Sequence, residues 1–402
     1  MLRILFISDF LPHLNADSAG VLDAAMLLND LSKKSKVDLI SNVSKSDLIE
    51  LDKLKKTCNQ VFYVRNRTFD NKLIYLIKTI FSFLSKLPAI MFMSYSLRFK
   101  ILLKGILSRN EYDVIIIEFT QMIHFIPIIK KCLPNAKIIV DESDIAFIRR
   151  ERFVNNNFRG LLNKIFLFDN NKLRINEIKF LNLATAILTR TNHDWDILKN
   201  NNLKIKKENH HILLPFVNFN NVSEYHAPKP DDNIILFYGA MWRPVNEEAI
   251  VYFIKNIYDK IIIKVSGVKL FIAGSRPTPK LLNLQNDNII ITGFVPDIEK
   301  YYFNSKVVIA PLKSGSGIKG KVIQALAFCR PVVTTEIGIE GIELDESDFV
   351  YVRNDPSSFA EKVVDLLVAD FPTDIFDISK KIINKFNWSD NFYRTYNFIN
   401  EV

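Results

Sequence analysis

Short β-branched runs alternate along the chain with stretches whose apolar residues recur at helical spacing. Each run is bounded by turn or polar residues, as strands are. In the first half the pattern predicts seven strands, at Arg3–Asp9, Val37–Ser41, Val61–Val64, Asp113–Phe119, Ala136–Asp141, Thr185–Arg190 and His211–Pro215. A helix is predicted between the first two strands, over Val21–Lys33. This strand–helix–strand order predicts a mostly parallel sheet with helices on both faces.

The second half begins the same pattern again after a polar stretch with two prolines, Phe219–Asn233, which we interpret as a linker. Six further strands are predicted there, at Ile234–Gly239, Lys269–Gly274, Asn288–Thr292, Val307–Pro311, Pro331–Thr335 and Phe349–Val352. A chain of 402 residues is too long for one ordinary core. We therefore expect an α/β protein of two doubly wound, Rossmann-like domains, at 1–218 and 232–378, that face each other across a cleft.

A glycine-rich loop, "LKSGSGIKGKV" at 312–322, follows the fourth strand of the second half. Its spacing Gly315-x-Gly317-x-x-Gly320 fits a dinucleotide fingerprint, and Gly320 followed by Lys321 also fits a P-loop. Both patterns place a phosphate at the loop, because glycines let backbone N–H groups approach an anion and the next helix start adds partial positive charge.

Three interpretations of this loop compete. A P-loop lacks its magnesium ligand, because Val322 has no oxygen. A dinucleotide fingerprint normally follows the first strand of its domain, although Glu336 lies where a ribose-binding acid would be. A flexible loop without any ligand is the third interpretation, against which Lys319 and Lys321 add full positive charges beside the glycines.

Ligands of doubly wound sheets bind beyond the carboxyl ends of the strands. That rule selects a set of polar and glycine positions as the functional rim: Asp9, Glu118, Asp141–Asp144, Arg243, Gly274 and Gly293. Glu118 ends an apolar strand, where a free carboxylate needs solvent or a partner. A role toward a substrate hydroxyl and a structural hydrogen bond are both open for it.

The positive charge of the chain is concentrated in its first half. Residues 1–218 hold 33 basic and 21 acidic residues, whereas the chain from Phe219 onward holds 20 and 23. A net of +12 favours an anionic partner or surface, although a basic domain without such a partner is the alternative. Three scattered cysteines show no metal spacing and favour a reduced, cytoplasmic protein. Neither a signal peptide nor an apolar run of membrane-spanning length is visible.

One segment of the first half, Phe69–Arg109, combines many Leu, Ile and Phe residues with seven Lys or Arg and a single acid, Asp70. Basic amphipathic helices at a membrane interface have this composition. Buried core helices of the same domain would look similar, so both interpretations stay open.

The second half resembles the donor domain of a GT-B glycosyltransferase of the family 4 type, the "glycosyl transferases group 1" domain. The resemblance runs from Asn233 to Val352 through "LFYGAMWRPVNEEAIVYF", "KLFIAGSRP" and "NIIITGFVPDIEKYYFNSKVVIAPLKSGSGIKGKVIQALAFCRPVVTTEIGIEGI". The first half is more loosely similar to the acceptor domain through "RILFISDFLPHLNADSAGVL", "YDVIIIEFTQM" and "IIVDESDIAFIRRER". The resemblance also implies that the last helix, 379–402, crosses back to the first domain.

The resemblance implies how a nucleotide-sugar would be held. Gly293, Phe294 and Val295 would border the nucleobase, and Arg243 and Lys321 would grip the diphosphate. The remaining donor-side positions are those of the glycine loop, its helix and the first helix of the other domain: Gly315, Ser316, Gly317, Ile318, Lys319, Gln324 and Gly20. Basic side chains and helix starts would stabilise the leaving diphosphate, so no metal and no cofactor are expected.

Two positions depart from the family pattern. The family often carries two glutamates eight positions apart, where this chain has Ser316 and Gln324. Many relatives have a histidine in a "DEH" context, where this chain has Ser143, which cannot supply a base or cation at neutral pH. Either Asp141, Glu142 or Asp144 takes over the positioning of the sugar, or this site is weaker. Glu118 is a further catalytic candidate because of its place at the end of a strand.

The function implied is the transfer of a sugar from a nucleotide-sugar to an acceptor hydroxyl, retaining and metal-independent, in bacterial surface polysaccharide or glycoconjugate synthesis. The expected partners are that donor and a glycan or lipid-linked acceptor, with an anionic membrane surface as a further candidate and no nucleic acid. The expected location is cytoplasmic, with peripheral contact at the inner face of the membrane. The alternative is a catalytically weak GT-B subunit that binds sugar nucleotide or scaffolds an assembly.

Overall fold

The chain folds into two compact units in a computed structural model that describes residues 1–16, 18–66, 68, 71–219, 230 and 233–402. Unit 1 comprises Met1–Phe216 and Trp388–Val402, and unit 2 comprises Val217–Asn387. Most of the predicted linker, Phe219–Asn233, lies outside the described residues.

Every strand predicted from the sequence is present among the described residues, with ends that differ by up to three positions. Unit 1 has β1 (Arg3–Ser8), β2 (Lys36–Val43), β3 (Gln60–Arg65), β4 (Val114–Glu118), β5 (Lys137–Asp141), β6 (Ala186–Thr189) and β7 (His210–Ile212). Unit 2 has β8 (Ile234–Tyr238), β9 (Lys269–Ala273), β10 (Ile289–Gly293), β11 (Val307–Ala310), β12 (Val332–Thr334) and β13 (Val350–Val352).

Helices connect these strands. In unit 1 the described α-helices are α1 (Ala19–Lys34), α2 (Leu51–Thr57), α3 (Lys72–Leu84), α4 (Ala89–Ser94), α5 (Leu97–Arg109), α6 (Ile126–Cys132), α7 (Ala146–Asn157), α8 (Gly160–Leu181) and α9 (Asn192–Asn200). Those that follow are α10 (Pro244–Phe253), α11 (Asp259–Ile262), α12 (Pro279–Leu282), α13 (Ile298–Asn304), α14 (Gly320–Ala327), α15 (Glu336–Ile339), α16 (Pro356–Val368), α17 (Ile375–Lys385) and α18 (Trp388–Glu401). Shorter 3₁₀ segments lie at Ser46–Glu50, Thr120–Phe125, Lys207–Asn209 and Glu346–Asp348, and a π segment at Ile254–Tyr258.

Both sheets are parallel and doubly wound, as predicted. The strand order is β3-β2-β1-β4-β5-β6-β7 in unit 1 and β10-β9-β8-β11-β12-β13 in unit 2. The order therefore reverses between β1 and β4 in one sheet and between β8 and β11 in the other. Chain connections leave in opposite directions at a reversal and open a crevice at the carboxyl ends of the two strands, where ligands of such folds bind.

The strands of unit 1 are apolar on both sides because helices cover both faces of the sheet. In β1, Leu5 and Ile7 belong to one buried cluster, and Ile4 and Phe6 belong to a second cluster on the other face. A side-chain period of two along the strand divides the residues in this way. This burial explains why the strands read as continuous apolar runs rather than as an alternation.

The last part of the chain consists of two helices instead of the single helix predicted over 379–402. α17 belongs to unit 2, and α18 belongs to unit 1. The indole Nε1 of Trp388 donates a hydrogen bond of 2.7 Å to Asp30 on α1, and His211 on β7 contacts the hydroxyl of Thr395 at 3.0 Å. These bonds fix the terminal helix to the body of unit 1.

Gly274 sits where the carboxyl ends of β8 and β9 approach most closely. A Cβ added at this position would lie 1.8 Å from the carbonyl oxygen of Gly239, and the backbone has a φ of +146°. Gly274 also donates its N–H to the carbonyl of Gly293 at 2.9 Å, so it joins the ends of three strands. A side chain would both strain the backbone and separate these strand ends.

We therefore expect Gly274→Ala to lower the free energy of unfolding by about 2 kcal/mol or more. Gly105→Ala is the matched control, because a Cβ at this helical position meets nothing within 4 Å. The control should raise stability by up to about 1 kcal/mol through helix propensity. Urea unfolding followed by circular dichroism measures both changes, and equal effects of the two substitutions would contradict the prediction.

Candidate functional site

The glycine loop of unit 2 lies at the reversal of its sheet. It follows β11 and precedes α14, which begins at Gly320. Gly315 and Gly317 have φ angles of +117° and +68°, a backbone region that favours glycine. Val322 is fully buried in the core, and the loop follows the fourth strand of its sheet. Neither the magnesium site of a P-loop nor the position of a dinucleotide fingerprint is present.

Lys321 is the cation at the centre of this edge. Its Nζ donates a hydrogen bond of 2.7 Å to Oδ1 of Asn246 and lies 4.4 Å from the centre of the Phe237 ring. Burial, with the nearby charges of Arg243 and Lys319, lowers the pKa of Lys321 to about 7. The three cations predicted from the sequence are thus brought together, and among the described residues no carboxylate is paired with Lys321.

Asn246 orients this lysine and was missed in the sequence analysis. Its Nδ2 donates to the carbonyl of Ala240 at 2.9 Å, so its Oδ1 points to Lys321. A Cβ at Gly239 would lie 2.9 Å from the Asn246 amide and 3.0 Å from the Lys321 ammonium, so that glycine leaves room for both. An amide accepts a hydrogen bond but carries no charge, and the positive charge of the edge stays uncompensated by it.

The glycine loop packs against the start of α10. A Cβ at Gly315 would meet the side chains of Lys319 and Val245 at 3.5 and 3.6 Å. The hydroxyl of Ser316 is buried and has no hydrogen-bond partner among the described residues, which is costly unless a bound group supplies one. The neighbouring Ile318 is half-buried.

Gln324 lies on α14, the helix that the loop opens. Its Oε1 is 3.4 Å from the hydroxyl of Tyr302, a fully buried ring. Burial raises the pKa of Tyr302 well above its usual value, so the phenol stays protonated and can donate to Gln324. The amide of Gln324 is therefore held from one side and retains N–H groups for another partner.

The segment Gly293–Val295 ends β10 at the same edge of the sheet. Gly293 has a φ of +70°, Phe294 is 75% exposed and Val295 is half-buried. A second ring, Trp242, follows β8 and is 41% exposed, with the guanidinium carbon of Arg276 at 4.7 Å from the ring centre. Exposed aromatic faces at the carboxyl edge are the kind of surface on which a planar base stacks.

In unit 1 the predicted acids Glu118 and Asp141 lie side by side at the ends of β4 and β5. Arg190 donates to Asp141 through two nitrogens, at 2.6 and 3.0 Å, and all three side chains are almost fully buried. Neither oxygen of Glu118 accepts a hydrogen bond from the described part of the chain. Burial first, then the charge of Asp141 and a hydrogen bond to it, raise the pKa of Glu118 well above its usual value and favour the protonated acid.

Asp23 and Asp9 are two further buried acids of unit 1. Asp23 on α1 lies 3.8 Å from Arg190 and accepts a hydrogen bond of 2.8 Å from the Phe216 backbone, and burial raises its pKa to about 7. Asp9 follows β1, accepts from Ser94 at 2.6 Å and from Asn42 at 2.9 Å, and has its pKa raised by burial to about 6. The sequence analysis assigned no role to Asp23 or Arg190. The signal for both was a charge within an apolar run.

The other two predicted acids have partners of their own. Glu142 accepts a hydrogen bond from the hydroxyl of Thr120, and burial raises its pKa well above the usual value. Asp144 forms an ion pair with Arg149 on α7. Ser143, between them, is half-buried. The four candidates are therefore not equivalent, since three are already held by a donor group and Glu118 is not.

Gly20 lies in the first turn of α1, beside the ring of Phe119. A Cβ there would be 3.3 Å from that ring, which stands edge-to-face against Phe10 at 5.5 Å. Phe119 has a φ of +68°, a strained value for a residue with a side chain. The aromatic pair thus covers Gly20 within unit 1.

His124 and His210 are buried. Burial lowers the pKa of His124 to about 4 and that of His210 to about 3, so both are neutral. His193 is exposed, and His226 lies outside the described residues. In the described ranges no group of three His, Cys, Asp or Glu side chains could hold a metal ion, and no helix is long and apolar enough to cross a membrane.

Residues 232–369 match the family described as glycosyl transferases group 1. This segment spans almost the whole of the described sheet of unit 2 and its glycine loop. Among curated proteins, the chain is 22% identical over 382 residues to an uncharacterised 44.6 kDa protein in the cps region of Klebsiella pneumoniae, with 90% of each chain covered.

Solved structures share the fold over the whole chain at low identity. Sucrose-phosphate synthase from Thermosynechococcus elongatus has a TM-score of 0.69 at 12% identity, with 100% of this chain and 99% of that chain covered. TarM from S. aureus and HepE from Anabaena each have a TM-score of 0.65, at 14% and 12% identity, with both chains fully covered. Residues 232–369 thus match the glycosyl transferases group 1 family, and the whole chain shares the GT-B fold of these structures, with two Rossmann-like units.

Proposed function

We propose that this protein transfers a sugar, with retention of the anomeric configuration and without a metal ion, from a nucleotide-sugar to an acceptor hydroxyl. The observation that carries the proposal is the cation site of unit 2. Lys319 lies in the glycine loop and Lys321 in the first turn of the helix after it, at the reversal of a parallel sheet; with Arg243 they form a cluster of cations in which Lys321 is held by a neutral amide. A diphosphate would supply a negative charge to Lys321, whose described side-chain partner is a neutral amide.

The chemistry follows from that placement. When the bond between the sugar and the diphosphate breaks, negative charge grows on the leaving diphosphate. Lys321 and Arg243, together with the N–H groups at the start of α14, would stabilise that charge more strongly in the transition state than in the bound donor. The buried hydroxyl of Ser316 and the amide of Gln324 would hydrogen-bond sugar or ribose hydroxyl groups. Phe294 and Val295 would border the nucleobase.

On the acceptor side, Glu118 is the candidate that the geometry favours. Asp141, Glu142 and Asp144 are held by Arg190, Thr120 and Arg149, respectively. Glu118 keeps both oxygens without a donor partner and stays protonated. A neutral carboxyl can donate one hydrogen bond and accept another, so we assign Glu118 a positioning role rather than that of a general base.

The biological setting is proposed from the relatives. The curated relative from Klebsiella pneumoniae is named for a cps region, and the named structures of TarM and HepE contain UDP, with alpha-GlcNAc-glycerol or glucose. We propose a bacterial surface polysaccharide or glycoconjugate as the product, a glycan or lipid-linked acceptor, and a cytoplasmic location. The three cysteines are free, which is consistent with a reducing compartment.

A catalytically weak subunit that binds sugar nucleotide is the second candidate. Ser143 and Gln324 favour it, because they replace a histidine and a glutamate of the family pattern. The cations around Lys321 would serve donor binding in either candidate, so donor turnover decides between them. Binding of a donor without its hydrolysis would select this candidate.

The test is thermal stabilisation and hydrolysis with a panel of nucleotide-sugars. The proposal predicts that one donor raises the melting temperature and is turned over. Lys321→Ala should weaken donor binding by roughly 10- to 100-fold, the contribution of a charge-assisted hydrogen bond. Lys260→Ala, at an exposed position of α11, should change neither quantity. Equal losses in both variants, or no donor that stabilises the protein, would contradict the proposal.

The lowered pKa of Lys321 predicts a pH dependence of nucleotide binding. The ammonium is charged below about pH 7 and loses its proton above it, whereas a bound diphosphate favours the charged form. The dissociation constant of UDP or GDP should therefore rise between about pH 7 and about pH 9, by up to about tenfold per pH unit. Lys321→Arg keeps its charge and should flatten this slope. A wild-type affinity that is constant over that range, measured by calorimetry, would disprove the assignment.

The protonated state of Glu118 predicts a second pH effect, on stability. Since its folded pKa lies above its unfolded value, the stability that this group contributes falls as the pH rises between the two. Glu118→Gln mimics the neutral acid and lacks this dependence. Relative to wild type, the free energy of unfolding of the variant should rise by up to about 1.4 kcal/mol for each pH unit above about pH 4.5.

Urea unfolding between about pH 5 and about pH 8 measures this difference. Glu111→Gln, at an exposed position of the same unit, is the control and should show a constant difference from wild type. A constant difference for Glu118→Gln as well would mean that Glu118 is ionised in the folded protein.

A further inference from the structure

An unusual surface of unit 1 lies on α3. Nine of its thirteen residues are apolar, yet six large side chains are 45–84% exposed: Leu73, Tyr75, Ile77, Ile80, Phe81 and Leu84. Leu73, Ile77, Ile80 and Leu84 form one stripe at helical spacing. Lys78, on another side of the helix, donates to the carbonyls of Met93 and Tyr95 at 3.0 and 3.1 Å and fixes the helix to unit 1. The exposure of these side chains is therefore a consequence of how α3 is attached to unit 1.

The neighbouring helix α8 continues this surface. Leu161, Ile165, Phe168 and Ile175 recur at helical spacing and are 37–73% exposed. Lys172 belongs to the same stripe, between Phe168 and Ile175, and its Nζ donates to the carbonyls of Ser82 and Ser85 at 3.1 and 2.7 Å.

This contact joins the end of α3 to the α8 stripe, so the two exposed sets form one surface. We call it the apolar face. Contiguous exposed apolar surface of this kind marks a site of association with another molecule or a membrane.

The charge around the apolar face is of one sign. Residues 71–110 contain seven Lys or Arg and no acid. On α8 the two acids, Asp169 and Glu177, are fully buried, whereas Lys164, Arg174 and Lys179 are exposed. A partner that covers the apolar face must therefore be anionic as well as apolar.

We propose that the apolar face binds the surface of an anionic phospholipid bilayer. The side chains of α3 and α8 would enter the boundary between head groups and acyl chains, and the basic residues would contact lipid phosphates. A second copy of the chain is disfavoured, because a two-fold interface would place the same positive charges opposite each other. The placement deepens the proposed function, since a lipid-linked acceptor would be presented at that surface.

Vesicle flotation of the full chain tests the proposal. It should float with phosphatidylcholine vesicles that contain phosphatidylglycerol, bind neutral vesicles much more weakly, and lose binding at high salt. Phe81→Asp with Leu84→Asp should lower vesicle binding at least tenfold, because two charges enter the apolar face. Ile263→Asp is the matched control on unit 2, where Ile263 is 84% exposed, and it should bind as wild type does.

Equal binding to neutral and anionic vesicles, or undiminished binding by the double variant, would overturn the proposal. Concentration-dependent dimers that the double variant abolishes would overturn it in favour of a second copy. The double variant should keep its nucleotide-induced stabilisation, which also shows that it is folded. Loss of vesicle binding with nucleotide binding intact therefore tests the apolar face alone, and failure of nucleotide binding in wild type tests the proposed function alone.

Discussion

The reversal of strand order at the middle of each parallel sheet is the constraint on which the rest of the structure depends. Parallel strands all end at one edge, and right-handed connections must leave that edge in opposite directions on the two sides of the reversal. The reversal lies between β8 and β11 in unit 2, and between β1 and β4 in unit 1. Lys321 in unit 2 and Glu118 in unit 1 lie at these two pairs of strands.

Ionisable side chains are buried at both edges, and the two units stabilise them in opposite ways. In unit 2, the neutral amide of Asn246 and the ring of Phe237 stabilise Lys321. Its burial still disfavours the charged form, which lowers its pKa. A bound anion would therefore stabilise the charged form of Lys321 at this edge. In unit 1, Arg190 balances Asp141 directly, and Glu118 avoids the cost of burial by keeping its proton. The charges of Arg190 and Asp141 balance each other, so this edge offers a ligand hydrogen bonds rather than an unpaired charge.

Exposed apolar surface follows from the same architecture. Helices must cover both faces of a parallel sheet, and a helix that covers a helix instead of the sheet needs a second apolar partner. α5 buries Phe99 and Leu103 in the core, whereas the contacts that attach α3 include the polar contacts of Lys78 and Lys172. The apolar residues of α3 therefore remain outside, surrounded by basic side chains, and the interpretation of 69–109 as wholly buried core helices does not hold for α3.

The sequence by itself determined the order of strands and helices, the doubly wound class, and the place of the glycine loop on the fourth strand. Those features depend on local periodicity and on turn residues, which are encoded within a few positions of each other. Tertiary structure alone decided the partners of the functional side chains. Asn246 meets Lys321 across 75 positions, and Arg190 meets Asp141 across 49, and no local pattern specifies either pair. It also decided which acid kept its oxygens without a donor and which apolar helix stayed exposed, because burial is a property of the packed chain.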